Sequence, residues 1–161
     1  MMAMPQSTVD SKALDVAVVH SCACSLDRQT CLPAGHCLSR SRLRHLQESD
    51  WVVVSEDSVA VGLAAYKCAD SDVRVVHELL LDRTLTGRDA ARVTDTLLAA
   101  LEMLAYDDRV GCLMCLLHGD VVTTPFEQRG YSAIVVDPCG AWLQKKLDRL
   151  DWASAHSVHL H

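Results

Sequence analysis

The sequence predicts one α/β (α+β) domain, built on a mixed, mostly antiparallel central sheet flanked by helices. Three observations carry that prediction. Short apolar, β-branched runs bounded by turn residues occur in both halves of the chain. One long helical stripe separates them. A continuous apolar run follows that stripe, and strand, long helix and strand in succession imply a parallel crossover. The length, 161 residues, suits a single core.

Residues 14–19 are apolar and β-branched and read as the first strand. Residues 21–39, with Pro33 and Gly35, read as loop, and residues 39–47 as a short amphipathic helix. Residues 51–54 and 59–66 form a hairpin around Ser55-Glu56-Asp57-Ser58, because Asp and Ser stabilise turns through their own backbone. In the return strand Val59, Val61, Leu63 and Ala65 are expected on one face. Ala60, Gly62 and Ala64 on the other are small, so something packs closely there. Residues 73–81 make the third long strand of this group. Residues 88–106 are the clearest helix: Ala90, Val93, Leu97, Leu101 and Leu104 recur at helical spacing, while Arg92, Asp95 and Glu102 lie outside the stripe. Residues 110–117 read as a strand covered on both faces. A short helix through Pro125 stops at Gly130, and two more strands, 131–136 and 141–147, flank the turn at Asp137-Pro138-Cys139-Gly140. Residues 1–12 are expected to be a disordered lead-in, 13–147 the domain, and 148–161 a partly helical tail.

Half the residues are apolar and 22% charged, the profile of a folded globular chain. Aromatics are scarce at 4%, so the core must be built from Leu, Val and Ala. The net charge of −6 speaks against a nucleic-acid partner, which needs a surplus of Lys and Arg on one face. No apolar run approaches the ~20 residues that span a bilayer, so no membrane partner is expected. Residues 1–12 hold no apolar signal core, and a reducing, cytoplasmic location is the expectation. Oligomeric state stays open, a homodimer included.

In a reducing compartment the eight cysteines should be thiols or metal ligands. Cys68, Cys112 and Cys115 sit in or at the ends of apolar runs and read as small buried residues. Cys22, Cys24, Cys31, His36 and Cys37 place five soft ligands in sixteen residues. Zinc wants four in a tetrahedron, but this spacing matches no C-x2-C pair. Zinc is therefore not favoured over loose thiols or redox-active cysteines.

Four stretches, in this order and spacing, resemble the GCN5-related N-acetyltransferase family. They are Val52 to Gly62; His77-Glu78-Leu79-Leu80-Leu81-Asp82 with Thr86-Gly87-Arg88-Asp89-Ala90-Ala91; Pro125-Phe126-Glu127-Gln128-Arg129-Gly130-Tyr131; and Asp137 to Leu147. The resemblance covers nearly the whole chain. It implies that acetyl-CoA serves as co-substrate in a gap between the fourth and fifth strands, with its pyrophosphate on the N–H groups that open the long helix, where unpaired donors and partial positive charge favour anions. Carried over position by position, it implies cofactor contacts at Leu80, Leu81, Thr86, Gly87, Arg88, Asp89, Ala90 and Ala91. Glu78 falls where some members place a general base, and Tyr131, Tyr106 or water could substitute as the proton donor, with a plain strand aromatic the alternative reading of Tyr131.

The chain also departs from the family. The loop pattern is Gln/Arg-x-x-Gly-x-Gly/Ala, and here Thr86 replaces its first residue and Asp89 its central glycine. A carboxylate beside pyrophosphate is repulsive, and Asp89 could instead cap the helix. The family's tyrosine position falls on Phe126, which has no proton to give. His77 and Glu78, adjacent in a strand, should point to opposite faces unless a bulge intervenes. Two functions therefore compete: an N-acetyltransferase acting on an amine of a small molecule or peptide, and a catalytically inactive binding or regulatory protein of the same fold, with zinc-stabilised forms of either.

Overall fold

A computed structural model describes residues 13–20, 32–119, 123–137 and 140–147. In chain order the elements are β1 (Asp15–Val19), α1 (Arg40–Gln47), β2 (Asp50–Glu56), β3 (Val59–Cys68), β4 (Val73–Leu81), α2 (Gly87–Asp107), β5 (Cys112–His118), α3 (Thr124–Gln128), β6 (Ser132–Asp137) and β7 (Gly140–Lys146). The strands form one sheet in the order β1-β2-β3-β4-β5-β7-β6. Only the β4–β5 pair is parallel, and α2 is its crossover. The mixed, mostly antiparallel sheet expected from the sequence is therefore the sheet found. No described helix is long and apolar enough to cross a membrane.

Two cores lie on opposite faces. The larger joins α2 to the sheet through Val93, Leu97, Leu98 and Leu101 against Val52, Val54, Ala64, Val76 and Leu113. The smaller joins α1 through Leu46 to Trp51, Val53, Leu63, Ala65 and Leu80. The small residues of β3 explain how close α2 sits. A Cβ on Gly62 would lie 2.5 Å from Val93 Cγ1, so only glycine admits the helix there. Ser39 caps α1 by accepting from the Arg42 amide at 3.3 Å.

Two β-bulges interrupt the alternation of faces. One, between Val54 and Ser55, leaves Val61 without a direct partner on β2. Val61 consequently packs into the α2-side core, not with Leu63 and Ala65 as strict alternation predicts. The other leaves His77 unpaired, since Ala65 faces Glu78 and Tyr66 faces Val76.

Glu102 also differs from expectation. It is only 3% exposed. Arg129 Nε reaches its Oε2 at 2.6 Å, Lys145 Nζ bonds its Oε1, and Arg129 Nη1 reaches Asp95 at 2.9 Å. One buried carboxylate thus ties α2 to β7 and to the turn after α3. A stripe of apolar residues cannot reveal this, because the partners lie 27 and 43 residues away. Removing one member of a buried charge cluster leaves the others uncompensated. Glu102→Gln should therefore cost about 3 kcal/mol of stability, read as a lower urea midpoint at unchanged slope; a midpoint within error of the parent would show the cluster to be dispensable.

Candidate active site

Strands β4 and β5 fork. They pair only from Val73↔Cys112 to Val76↔Cys115, yet β4 continues to Leu81 and β5 to His118. The Asp82 amide bonds the Val61 carbonyl at 2.8 Å, so the ladder turns Leu80 toward β3. The main-chain groups of Leu79 and Leu81 then face the open side. Two histidines reach carbonyls along this edge: His118 Nε2 lies 3.2 Å from the His77 carbonyl, and His36 Nε2 lies 2.5 Å from that of Leu81.

The bulge at the fork brings His77 and Glu78 to the same face, the one covered by α1. Glu78, 2% exposed, accepts from Arg42 Nε and Nη2, each at 2.6 Å. This fork-to-fork pair uses both carboxylate oxygens and pushes the Arg42 guanidinium further up. His118 Nε2 lies 3.8 Å from Glu78 Oε1.

His77 has a different environment. Ser49 Oγ lies 2.5 Å from the His45 carbonyl and 2.6 Å from His77 Nε2. A carbonyl only accepts, so the hydroxyl proton goes there. The oxygen then offers His77 only lone pairs, and Nε2 must carry the ring proton. Nδ1 then carries a lone pair with no hydrogen bond to it among the described residues. Burial holds the His77 pKa below its ordinary value, opposed by the nearby Glu78 charge. At neutral pH this ring is a neutral base of fixed tautomer.

Beside these residues a cavity of about 460 Å³ opens on the α1 face of the sheet. Its polar wall is His45, His77, His118, Lys67 and Cys68. Its apolar wall is Ala69, Val75 and Leu116. Cys68 is exposed here, which corrects the expectation that it is buried. Cys115 is fully buried, and burial raises its pKa to about 12.

At the open end of the fork stands the start of α2. Thr86, Gly87, Arg88 and Asp89 are exposed, Ala90 is half-buried and Ala91 exposed. Thr86 makes no side-chain bond to the helix. Gly87 has φ +52°, and among the described residues nothing lies within 4 Å of where its Cβ would be. Of the other expected contacts, Leu81 presents its main chain to the fork, whereas Leu80 spends its main chain on β3 and buries its side chain against Trp51 and Val53. Sequence reasoning missed Leu79, whose edge position follows only from the register.

Tyr131 is not brought to Glu78. It lies in the α2-side core, edge-on to Phe126 with ring centroids 5.6 Å apart. Its hydroxyl is buried without a hydrogen bond among the described residues, and burial pushes its pKa well up. Cys22, Cys24 and Cys31 lie outside the described residues. Among those described, no group of three or more His, Cys, Asp or Glu is placed to hold a metal ion.

The histidine assignment has a measurable consequence. Folded His77 stays neutral while the unfolded imidazole, with its pKa near 6.5, takes a proton. Stability is thus full above pH 6.5 and falls as pH drops from there toward the folded pKa. We expect its NMR titration midpoint below 6.5, with Nε2 protonated, and His77→Asn should flatten that limb of the stability curve. A midpoint above 6.5, or Nδ1 protonation, would refute the assignment.

No protein-family model matches the sequence, and no curated protein sequence matches it. Solved structures do. An acetyltransferase of the GNAT family from Elizabethkingia anophelis, with acetyl-CoA bound, superposes with a TM-score of 0.59 at 10% identity, covering 83% of this chain and 98% of that one. The PaiA N-acetyltransferase from Thermoplasma acidophilum, in complex with coenzyme A, gives 0.51 at 16% identity over 60% of each chain. N-acetylglutamate synthase from Neisseria gonorrhoeae gives 0.55 at 16% identity, covering 84% of this chain and 36% of that one, so this chain spans about a third of that enzyme. With its forked β4–β5 pair and its strand order, the chain has the fold of the GCN5-related acetyltransferases, in a form that has diverged far in sequence.

Proposed function

We propose that this protein is an N-acetyltransferase that takes an acetyl group from acetyl-CoA and passes it to a primary amine at the β4–β5 fork. The observation that supports this most is the fork itself. Five residues of β4 run past the last paired position, with an uncapped, exposed helix start at the open end. The residues present suit the co-substrate. Leu79 and Leu81 offer main-chain edge groups, and the α2 start offers amides beside a glycine with open space above it. Arg83 and Arg88, both exposed, supply cationic charge for phosphates.

Acetyl-CoA, when bound, supplies the activated acyl group. In this reading His77 Nδ1 removes a proton from the amine, which opens the nitrogen lone pair for attack. The same proton is the one the departing thiolate needs. Ser49 is a positioning residue, since it fixes the tautomer that leaves Nδ1 free. Glu78 positions Arg42 and the α1 face. Tyr131, enclosed in the opposite core, takes no part.

The competing reading is a binding protein without turnover. Asp89 favours it by putting a carboxylate in the first turn of α2, as does His36 by taking up the Leu81 carbonyl on the open edge. The magnitudes favour binding. A unit charge ~6 Å away in water repels by about 0.7 kcal/mol, and Arg88 beside it offsets that. Calorimetric titration with acetyl-CoA decides: micromolar binding is expected, and no binding at millimolar ligand would sink the proposal. Gly87→Val should weaken binding at least tenfold, because a β-branched residue resists positive φ and covers the amides.

A second expected outcome concerns charge. Asp89→Asn should tighten acetyl-CoA binding severalfold at low salt, with the gain shrinking at high salt as screening removes the repulsion. An unchanged Kd would remove phosphate from the α2 start. Under this mechanism Ser49→Ala should lower kcat more than it raises KM and should shift the acidic limb of the pH–rate profile.

A further inference from the structure

The cavity on the α1 face narrows the class of acceptor, provided the transfer reaction above is correct. Its lining contains three imidazoles, one ammonium and one thiol, with Ala69, Val75 and Leu116. Among the described residues no carboxylate lines it. Glu78, the acidic residue next to it, gives both oxygens to Arg42. A second cationic group on the acceptor, as in a polyamine, would meet Lys67 and would have to draw on exposed Glu48, which already faces Lys67, for an anionic partner.

An anion has a partner. Among the described residues Lys67 Nζ meets only Glu48 Oε2, at 3.5 Å, between side chains 36% and 59% exposed. That long surface pair is weak and yields readily to a better-placed carboxylate. The aliphatic wall suits an apolar body, and 460 Å³ falls in the lower range of small-molecule sites. We propose that the acceptor is a free apolar α-amino acid. Lys67 holds its carboxylate, Val75 and Leu116 contact its side chain, and its amine faces His77. This reverses the mild preference for cationic amines that the acidic composition alone suggests.

The test compares three amines with acetyl-CoA at saturation, following thiol release. Leucine should exceed isoamylamine, the same skeleton without the carboxylate, by about tenfold in kcat/KM, and spermidine by more. Lys67→Met should bring the leucine-to-isoamylamine ratio near one. A higher value for isoamylamine or spermidine, or a ratio untouched by Lys67→Met, overturns the proposal. Titrating leucine and isoamylamine into the free protein, with the His77 and His118 NMR signals as reporters, separates the two readings. If acetyl-CoA fails to bind, acetyl transfer falls; tighter leucine binding then still supports the cavity assignment, and equal or weaker binding overturns it.

Discussion

One extra residue in β4 organises this molecule. Because His77 has no partner on β3, the strand turns locally, and two consecutive side chains, His77 and Glu78, face α1 together. Pairing with β5 also ends at Val76, immediately before the bulge. A bulge increases twist, and a strand that twists away from its parallel neighbour cannot keep its ladder. The gap, the cavity and the exposed β4 edge all follow from this interruption. Where the main chain loses its neighbour, imidazoles cover part of the deficit, with His118 at the His77 carbonyl and His36 at that of Leu81.

The two sheet faces hold that gap open by different physics. On the α2 side an extended apolar core does most of the work, and Glu102 with Arg129 and Lys145 locks β7 and the α3 turn to the helix. On the α1 side the core is smaller, and polar contacts supplement it. Arg42 with Glu78, Ser49 with His77, and Trp51 Nε1 donating to the Leu46 carbonyl at 2.7 Å attach a helix of eight residues to the sheet. An isolated helix of that length is unstable in water. These contacts fix both the helix and the groups that form the candidate site, so fold and site share the same bonds.

Much of the fold was legible because hydrophobic period reports directly on which face is buried. The parallel crossover could be reached from the apolar run of residues 110–117 and from the stripe of α2, whereas the insertion of β7 between β5 and β6 carries no local signal. What failed were single residues whose placement depends on distant partners or on bulges. Val61 changed faces because of one inserted residue, and Glu102 went inside because two cations arrive from other elements. Cys68, at a strand end, emerged into a cavity that no local pattern marks. In the candidate site, residue type pointed to Glu78 and Tyr131, whereas Ser49, His45 and His118 carried no sequence signal. They become neighbours only through packing of α1 and β5 against the bulge.

Glu78 and His77 show how environment reassigns roles that residue type suggests. A carboxylate bound by two charge-assisted bonds at 2.6 Å could act as a base only by giving up part of that pairing. Arg42 is 36% exposed, so the pair is worth less than a fully buried one. Losing a hydrogen bond to a charged group still costs about 1.5–3 kcal/mol, roughly tenfold or more in rate. The imidazole faces no such cost. Burial keeps it neutral, Ser49 fixes its proton on Nε2, and Nδ1 has no hydrogen bond among the described residues, in a ring that lines the cavity. Within the proposed transfer reaction this balance favours His77 over Glu78 as the base and leaves Glu78 to hold α1 over the fork, an exchange of duties that rests on the bulge putting both on one face.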